Sequence, residues 1–436
     1  MKIGLLAMSG VRVRTRELAE LGVTLPGFVR RGKTIASLPS LGLLTVAGLT
    51  SPQHEVEYLE LDGVPELSSL PHFDLVGISS LTASIDEAYL VADEYRRRKT
   101  KVVMGGLHVS SLPEEAAAHA DAVVIGGAEG VWPQVVRDAA AGALRPRYRG
   151  ASDDVFSPAH YVRPRFELLR QRAYNRVTVQ TSRGCPRHCE FCAASLLITR
   201  RFNQKPVELV LDEIRAARRH FAHPFFEFAD DNTFLDLTWG KAFLRALIPE
   251  QLHWFTETDA SVADDLELCD LLSESGCRQL LIGLESPRQG DLHGIDPVGW
   301  KQRRAAQTTR VVDVLQSRGV SVNGCFILGL DTHTPEIFPA VRDFVRASGL
   351  AEVQVTVLTP FPGTPLYARL RREGRLLSER FWDRCTLFDV NYRPALMTVE
   401  ELEKGMRWLF QELYSQQESA HRVRAFVQTS RRPGVE

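Results

Sequence analysis

The sequence predicts an α/β protein with two parallel-sheet domains, one after the other, and a small, mainly helical C-terminal unit. Three observations lead to this fold class. The chain has 436 residues, which exceeds the roughly 250 to 300 residues at which a single core stops growing. Short apolar runs ending in Gly, Ser or Asp alternate with helical patterns, as expected of right-handed βαβ units. A long helical pattern then follows Thr398, which can act as its N-cap.

The composition narrows the class of protein. Hydrophobic residues make up 44% and charged residues 25% of the chain, which is typical of a globular protein. The net charge of −1 gives no general electrostatic reason to bind nucleic acid or an anionic membrane. No apolar run is long enough to span a bilayer, and MKIGLLAMSG does not have the form of a signal peptide. We therefore expect a cytoplasmic protein with reduced thiols that acts on a small-molecule substrate, with no nucleic-acid partner.

Residues 1–148 are predicted to form a doubly wound, Rossmann-like sheet. Ligands of such sheets bind outside the carboxyl ends of the strands. Small residues at these ends would let the backbone approach a large ligand closely, although each glycine alone is also explained by a tight turn. The strand-like runs are KIGLLAM, EVEYLELD, FDLVGISS, KVVMGGLH and DAVVIGG, and the segments at their ends are SSLTAS, GGLHVSSLPEE and GGAEG.

A Pro- and Arg-rich linker is predicted at 149–170, and residues 171–370 repeat the alternation of strands and helices. Eight strands would complete a TIM barrel, and six in series predict a partial (β/α)6 barrel. In such a barrel the chemistry belongs at the carboxyl ends of the strands. The six predicted strands lie in RVTVQTSRGC, FFEFADDNTF, HWFTETDAS, QLLIGLES, SVNGCFILGL and EVQVTVLTPFPGTP.

Three of the seven cysteines lie within eight positions, at Cys185, Cys189 and Cys192, in the loop after the first barrel strand. Thiolates at such density select zinc or an iron–sulfur cluster. A structural zinc site needs a fourth protein ligand, and the sequence offers no second CxxC pair. Three ligands on a four-iron cluster leave one iron open, which is useful only if a substrate or cofactor binds there. The pattern therefore favours the cluster.

This CxxxCxxC loop resembles that of the radical S-adenosylmethionine (SAM) enzymes. The resemblance implies that the three cysteines hold a [4Fe-4S] cluster and that SAM chelates its fourth iron. FADDNTF, GLES and GCFILG match further cofactor-contacting segments of that family in the same order, and Glu257 follows the strand between the first two. The residues assigned to SAM in this way are Phe191, Asp230, Asp231, Asn232, Glu257, Glu285, Ser286, Gly324 and Gly329.

Residues 1–148 resemble the cobalamin-binding domain that precedes the barrel in one large subgroup of that family. The DxHxxG motif that supplies a histidine to cobalt in some cobalamin proteins is absent, which implies cobalt without a histidine below it. GGAEG stands where a GEGE or GEAE stretch is commoner. The residues assigned to cobalamin are Ser79, Ser80, Leu81, Thr82, Gly105, Gly106, His108, Gly126, Gly127 and Glu129.

Residues 371–436 are predicted to form a helical unit with a disordered end. In the related enzymes such a tail closes one side of the substrate cavity. Four of its aromatic residues suggest either a wall of that cavity or an aromatic core, of which the core is the simpler interpretation. These residues are Trp382, Phe388, Tyr392 and Trp408.

The resemblance implies a cobalamin-dependent radical SAM methyltransferase that acts on an unactivated carbon of a small metabolite, lipid or natural-product precursor. The reduced cluster would cleave SAM to a 5'-deoxyadenosyl radical, and an external flavodoxin- or ferredoxin-type protein would supply the electron. One alternative is a cyclisation or rearrangement on the same architecture. A second, of another class, is a cobalamin-binding sensor with a vestigial barrel, against which the intact cysteine triplet argues.

Overall fold

The structure, a computed structural model, contains two parallel sheets and a helical C-terminal unit, which confirms the predicted fold class. Parts of the loop after the first strand, of the predicted linker and of the predicted disordered end lie outside the described residues. The structure describes residues 1–8, 13–16, 18, 38–150, 156, 161–170, 174, 176–194, 199 and 201–430.

The four inner strands of the first sheet are short, apolar and mostly buried, as is usual for parallel sheets, whereas the two outermost strands are charged and more exposed. All its strands are parallel, in the order β2-β1-β3-β4-β5-β6. The sequence predicts all of these strands except β6. They are β1 (Lys2–Met8), β2 (Glu55–Leu61), β3 (Leu75–Ser79), β4 (Lys101–Gly105), β5 (Ala122–Ile125) and β6 (Arg147–Arg149).

Two layers of helices cover this sheet. Residues that alternate along a strand point to opposite faces, so Leu5 packs with α1 and α5, whereas Leu6 packs with α2. The bounds of these helices are α1 (Leu41–Leu49), α2 (Ile85–Arg97), α3 (Leu107–Ser111), α4 (Pro113–Ala117) and α5 (Trp132–Ala140).

The second sheet is an open arc in the order β14-β13-β12-β11-β10-β7, all parallel, as predicted for a partial barrel. Two further short strands, β8 and β9, pair antiparallel beside it. The strands are β7 (Val177–Val179), β8 (Ser182–Arg183), β9 (Asn203–Gln204), β10 (Phe225–Phe228), β11 (His253–Thr258), β12 (Cys277–Glu285), β13 (Ser321–Leu328) and β14 (Glu352–Val357).

The outer face of the second sheet carries the larger core. Phe228 meets Phe243 of the outer helix layer edge-on at 5.2 Å and lies 5.0 Å from Trp254 of the next strand. Aromatic pairs at these distances contribute beyond the area that they bury. The helices of this layer are α6 (Val207–His220), α7 (Leu237–Leu247), α8 (Leu266–Glu274), α9 (Trp300–Arg304), α10 (Thr308–Gln316), α11 (Ile337–Ser348) and α12 (Pro365–Arg372).

The C-terminal unit contains α13 (Val399–Tyr414) and α14 (Gln416–Thr429). Thr398 caps α13 as predicted, in a reciprocal capping box with Glu401. Trp382, Phe388 and Tyr392 are buried and Trp408 is half-buried, so these aromatic side chains belong to the core.

This unit contacts both sheets. Phe381 and Trp382 pack on the α2 face of the first sheet, whereas Tyr392 joins the core of the second. Within the described ranges, no helix is both long and apolar enough to cross a bilayer. Short 3-10 helices lie at Leu67–Ser69, Thr82–Ser84, Phe166–Leu168, Ile248–Glu250, Ala260–Asp264, Gln289–Leu292, Ala305–Gln307 and Trp382–Arg384.

Candidate functional site

The cysteine loop is fixed at its base by the two acidic residues after β10. The buried carboxylate of Asp230 accepts a hydrogen bond from the backbone N–H of Ser182 at 2.8 Å, and that of Asp231 accepts one from Gly184 at 2.9 Å. Gly184 has φ +88°, and a Cβ there would lie 2.4 Å from the carbonyl oxygen of Arg201. Only glycine fits such a turn. The acidic pair and this glycine therefore set where the chain leaves the sheet.

Two ion pairs fix the far side of the same loop. Glu190 lies 2.7 Å from Arg369 of α12. Arg187 lies 2.9 Å from Asp259, which follows β11, and its guanidinium stacks 3.5 Å from the ring centroid of Trp300. Guanidinium groups favour both carboxylate and aromatic partners. Through these contacts the loop is attached to three separate parts of the second sheet's rim.

The three predicted cluster ligands meet in this loop. Burial raises the pKa of the Cys185 thiol and raises that of Cys189 to about 12, and the charge of Cys192 adds to both increases. Among the described side chains, no three His, Cys, Asp or Glu are grouped as the ligands of one metal ion. The assignment of the three thiols to a [4Fe-4S] cluster stays a prediction.

A buried ion pair lies beside the cysteine loop. Lys301 Nζ is 2.7 Å from Glu285 Oε1 and donates to the carbonyl oxygen of Gly283 at 2.8 Å. Burial lowers the pKa of Lys301, but Glu285 more than compensates, so the pKa stays above its ordinary value. Glu285 itself has φ +65°, a strained conformation for this residue type. Such strain is common at functional sites, and the sequence analysis missed Lys301.

The structure gives several residues assigned to SAM internal partners. Besides Ser182, Asp230 accepts from the backbone and hydroxyl of Thr181. Asn232 donates to Asp259 at 3.0 Å, and Ser286 donates to Asp291 at 2.6 Å. Each of these contacts orders the rim of the sheet. The assignment of these residues to SAM stays a prediction.

The two glycines assigned to SAM both have packing reasons. A Cβ on Gly324 would lie 2.8 Å from Leu350, and one on Gly329 would lie 2.1 Å from the hydroxyl of Tyr392. That hydroxyl donates to the carbonyl oxygen of Gly329 at 2.5 Å. Phe191 is half-buried and packs against the larger core. Their roles toward SAM also stay predictions.

A cleft of about 300 Å³ opens at the carboxyl ends of the first sheet. Gly105 and Gly106 lie in its wall, and Gly106 has φ +105°, which favours glycine. Because these glycines have no side chains, they leave space in the wall of the cleft. A roomy cleft lined mainly by apolar groups suits a large cofactor. Six of the predicted cobalamin residues line this cleft: Ser79, Gly105, Gly106, Gly126, Gly127 and Glu129.

The other four predicted cobalamin residues do not line the cleft. His108 packs on the opposite face of the sheet, with its ring 5.5 Å from that of Trp382 and its Nε2 3.4 Å from Glu115. Thr82 lies 3.4 Å from the other ring nitrogen, whereas the Leu81 side chain is about half exposed. The structure thus gives His108 a packing role, and the assignment of Ser80, Leu81, Thr82 and His108 to cobalamin stays a prediction.

The sequence did not point to the cleft residues of α1, of α5 or of the second domain. The second domain contributes Arg183 of β8, whose Nη2 lies 2.8 Å from Glu129 Oε1 of the first domain. Burial raises the pKa of Glu129, but Arg183 more than compensates and holds it below its ordinary value. Sequence periodicity alone does not show which helix face or which distant loop closes a cleft. The missed residues include Leu41, Gly42, Thr45 and Leu49 of α1, Trp132 of α5, and Gln180, Arg183 and Ala229 of the second domain.

Models of known protein families match three parts of the chain. A B12 binding domain model matches residues 32–136, and a Radical SAM superfamily model matches residues 179–345. A third model, a domain of unknown function (DUF4070), matches residues 364–435.

One relative among curated proteins is the bacteriochlorophyllide d C-8(2)-methyltransferase of Chlorobaculum tepidum. It is 27% identical over 384 residues, which span 84% of this chain and 83% of the relative.

Two solved structures share the fold. The methyltransferase TsrM from Kitasatospora setae, with cobalamin and a [4Fe-4S] cluster bound, gives a TM-score of 0.66 at 17% identity, covering 95% of this chain and 88% of TsrM. The cobalamin-dependent SAM radical enzyme OxsB with aqua-cobalamin bound gives 0.64 at 14% identity, covering 98% and 72%. At these identities the likeness concerns the fold.

Proposed function

The chain belongs to the cobalamin-dependent radical SAM enzymes, and we propose that it methylates an unactivated carbon of a small metabolite, lipid or natural-product precursor. The observation that carries the proposal is the composition of the cleft. Glycines of the first sheet and Arg183 of the second domain line the same space, and Arg183 stands two residues before Cys185. The place for a methyl donor thus adjoins the place for the cluster.

The bound cofactors would supply the chemistry that amino acids lack, an electron for SAM cleavage and a transferable methyl group. Cys185, Cys189 and Cys192 would hold the cluster, and the cleft glycines would seat cobalamin. Asp230 and Asp231 fix the backbone of the cysteine loop. These contacts hold the ligands in position before any cofactor binds, which limits the entropy lost on binding.

Two ion pairs would support the binding of the cofactors. Glu129 and Arg183 join the two domains at the mouth of the cleft and fix their relative position. Lys301 and Glu285 place a compensated charge pair beside Cys189, where Lys301 lowers and Glu285 raises the pKa of the thiol. Deprotonated thiols are the form that binds iron.

Anaerobic incubation of the reconstituted enzyme with SAM, a reductant and candidate acceptors tests the proposal. Mass analysis should show an acceptor heavier by one methylene unit, together with 5'-deoxyadenosine, and the C185A variant should form neither. Formation of 5'-deoxyadenosine with an acceptor that is altered at unchanged mass would indicate rearrangement instead. Iron-loaded, cobalamin-loaded protein that never cleaves SAM would support the sensor alternative.

A further inference from the structure

The inner face of the second sheet carries polar side chains. Neighbouring parallel strands present residues in register on the same face. Glu257 of β11 is in register with Leu281 of β12, and Leu281 with Asn323 of β13. The opposite face carries Trp254, which packs in the outer core. Glu257 and Asn323 therefore both face the space enclosed by the arc of strands.

Adjacent rows of the same face continue this polar lining. Phe255 is in register with Glu227 on one side and Gln279 on the other. Thr178 is in register with Glu227, and Gln354 with Cys325, two residues beyond Asn323. Two carboxylates, three carboxamides and a hydroxyl thus share one concave surface: Glu227, Glu257, Gln279, Asn323, Gln354 and Thr178.

All four uncharged side chains of this surface have an oxygen atom that lacks a hydrogen-bond partner. Asn323 is 1% exposed and Gln279 2% exposed. Burying a polar group without a partner destabilises a protein, so such groups usually have a partner in the functional state. Within the described part of the chain, no hydrogen bond reaches Thr178 Oγ1, Gln279 Oε1, Asn323 Oδ1 or Gln354 Oε1. A ligand that brings N–H donors would satisfy them.

One carboxylate of this surface lacks a cationic partner. Arg176 Nε lies 2.8 Å from Glu227 Oε2, and its guanidinium lies 5.3 Å from the ring centroid of Phe255, so this pair is mutually neutralised. Lys301, at the rim, is paired with Glu285. Among the described residues, no ion pair includes Glu257, although its side chain stays accessible from the space inside the sheet.

The carboxylates around Glu257 disfavour its negatively charged form and would repel a negatively charged ligand. Desolvation inside the sheet is the main cause that raises the pKa of Glu257 to about 8, and the charges of Glu227, Asp231 and Asp230 add to it. The charge of Arg176 offsets only part of this increase. The same carboxylate helps to raise the pKa of the Cys325 thiol, after burial itself. A positively charged ligand would relieve this repulsion, whereas a carboxylate ligand would add to it.

We propose that this inner surface binds a cationic amino group of the methyl acceptor, so that the substrate belongs to the amines. An ammonium or guanidinium group supplies several N–H donors that can bond to the unpartnered oxygens. It also carries a positive charge that can pair with the carboxylate of Glu257. A hydrocarbon would leave these oxygens unpaired. This inference rests on the proposed function, narrows its substrate class, and moves Glu257 from the residues assigned to SAM to those that contact the methyl acceptor.

Ligand binding to the anaerobic, cofactor-loaded full chain tests the proposal. The probes are n-butylammonium, 1-butanol and butyrate, which match in size and differ in charge, and saturation-transfer NMR measures their affinities. We expect n-butylammonium to bind at least about tenfold more tightly than 1-butanol and butyrate to bind weakest. The E257Q variant, which keeps the shape and removes the charge, should lose this preference. E274Q, on the exposed end of α8, should keep it.

Two outcomes would overturn the inference. One is equal affinity for the amine and the alcohol in the parent protein. The other is an E257Q variant that keeps its amine preference. If that variant also loses affinity for SAM in equilibrium dialysis, Glu257 contacts SAM and not the methyl acceptor. Iron content and melting temperature check that E257Q is folded. Methyl transfer to a neutral acceptor without amine preference would refute only this inference, whereas amine preference without methyl transfer to any acceptor would refute only the proposed function.

Discussion

The two sheets have the same strand number and direction in the described chain, yet they present opposite surfaces. The first offers a cleft made of glycine backbone and aliphatic side chains, with Gly105 and Gly106 in its wall. The second offers carboxylates and carboxamides on its inner face, such as Glu257 and Asn323. The first sheet thus leaves space for a ligand because it has glycines at this site. The second sheet instead supplies side chains that can form hydrogen bonds and ion pairs.

Two kinds of ligand can therefore be served by one type of fold. A large, preformed cofactor gains affinity from shape and apolar contact, which glycine and aliphatic residues provide. A reacting molecule must be held in one orientation, which requires charge and hydrogen bonds. Substitutions in the two sheets should therefore have separable effects.

The largest effect is expected in the second domain. Alanine at Cys185, Cys189 or Cys192 removes one of three cluster ligands, so iron content, visible absorption and SAM cleavage should all be lost. Cobalamin retention should persist because the cleft lies on the other sheet. Iron analysis and absorption spectra of anaerobic protein measure this.

Cys385 provides the control. It is buried against the first sheet, away from the cysteine loop, so C385A should keep its iron. Loss of iron from C385A as well would refute the three-ligand assignment.

The converse effect is expected at Gly105. A Cβ there would meet Val124 at an ordinary 3.7 Å, so G105A should fold and bind normally. Leucine would instead fill the cleft, so G105L should purify without cobalamin while keeping its iron. Equal cobalamin content in G105L and the parent would place the cofactor elsewhere. Gly106 is a poorer choice, because its φ of +105° strains any side chain.

A smaller effect is expected at the junction of the two sheets. E129Q weakens the ion pair with Arg183, and we expect cobalamin affinity to fall about tenfold, or about 1.4 kcal/mol. The control E114Q alters a highly exposed ion pair with Arg147 and should change nothing measurable. Equilibrium dialysis with hydroxocobalamin compares the variants. An unchanged affinity in E129Q would mean that the pair does not support the cleft.

No effect on cobalt is expected at His108. H108A should lower the free energy of unfolding by about 2 kcal/mol, because it removes a buried ring beside Trp382. The paramagnetic resonance spectrum of bound cob(II)alamin should lack nitrogen hyperfine splitting in both proteins. A splitting in the parent that disappears in H108A would make His108 a cobalt ligand.

Much of the fold could be predicted from local patterns. Apolar runs predicted the buried strands, and Thr398 with Glu401 predicted the start of α13. β6 was missed because the sequence RYR is a short edge strand in which only Tyr148 is buried. Edge strands carry little periodicity for a sequence to reveal.

The site was predictable only in part, because distant residues decide its contacts. Asp230 has the chemistry of a ligand contact, yet its carboxylate bonds to Thr181 and Ser182, which are 49 and 48 positions away. Glu257 acquires its surroundings only through strand register. Nothing in the local sequence distinguishes these roles.

The packing of Phe381 and Trp382 on the first sheet has a consequence for synthesis on the ribosome. The first domain emerges early, but the apolar patch beside α2 on which Phe381 and Trp382 pack stays uncovered until residues near the end of the chain arrive. Asp389 also bonds to the backbone of Arg14 and Thr15, which closes a link across most of the chain. Since long-range contacts form slowly, the nascent first domain would carry an exposed apolar face during translation, and a truncated messenger would release an aggregation-prone fragment.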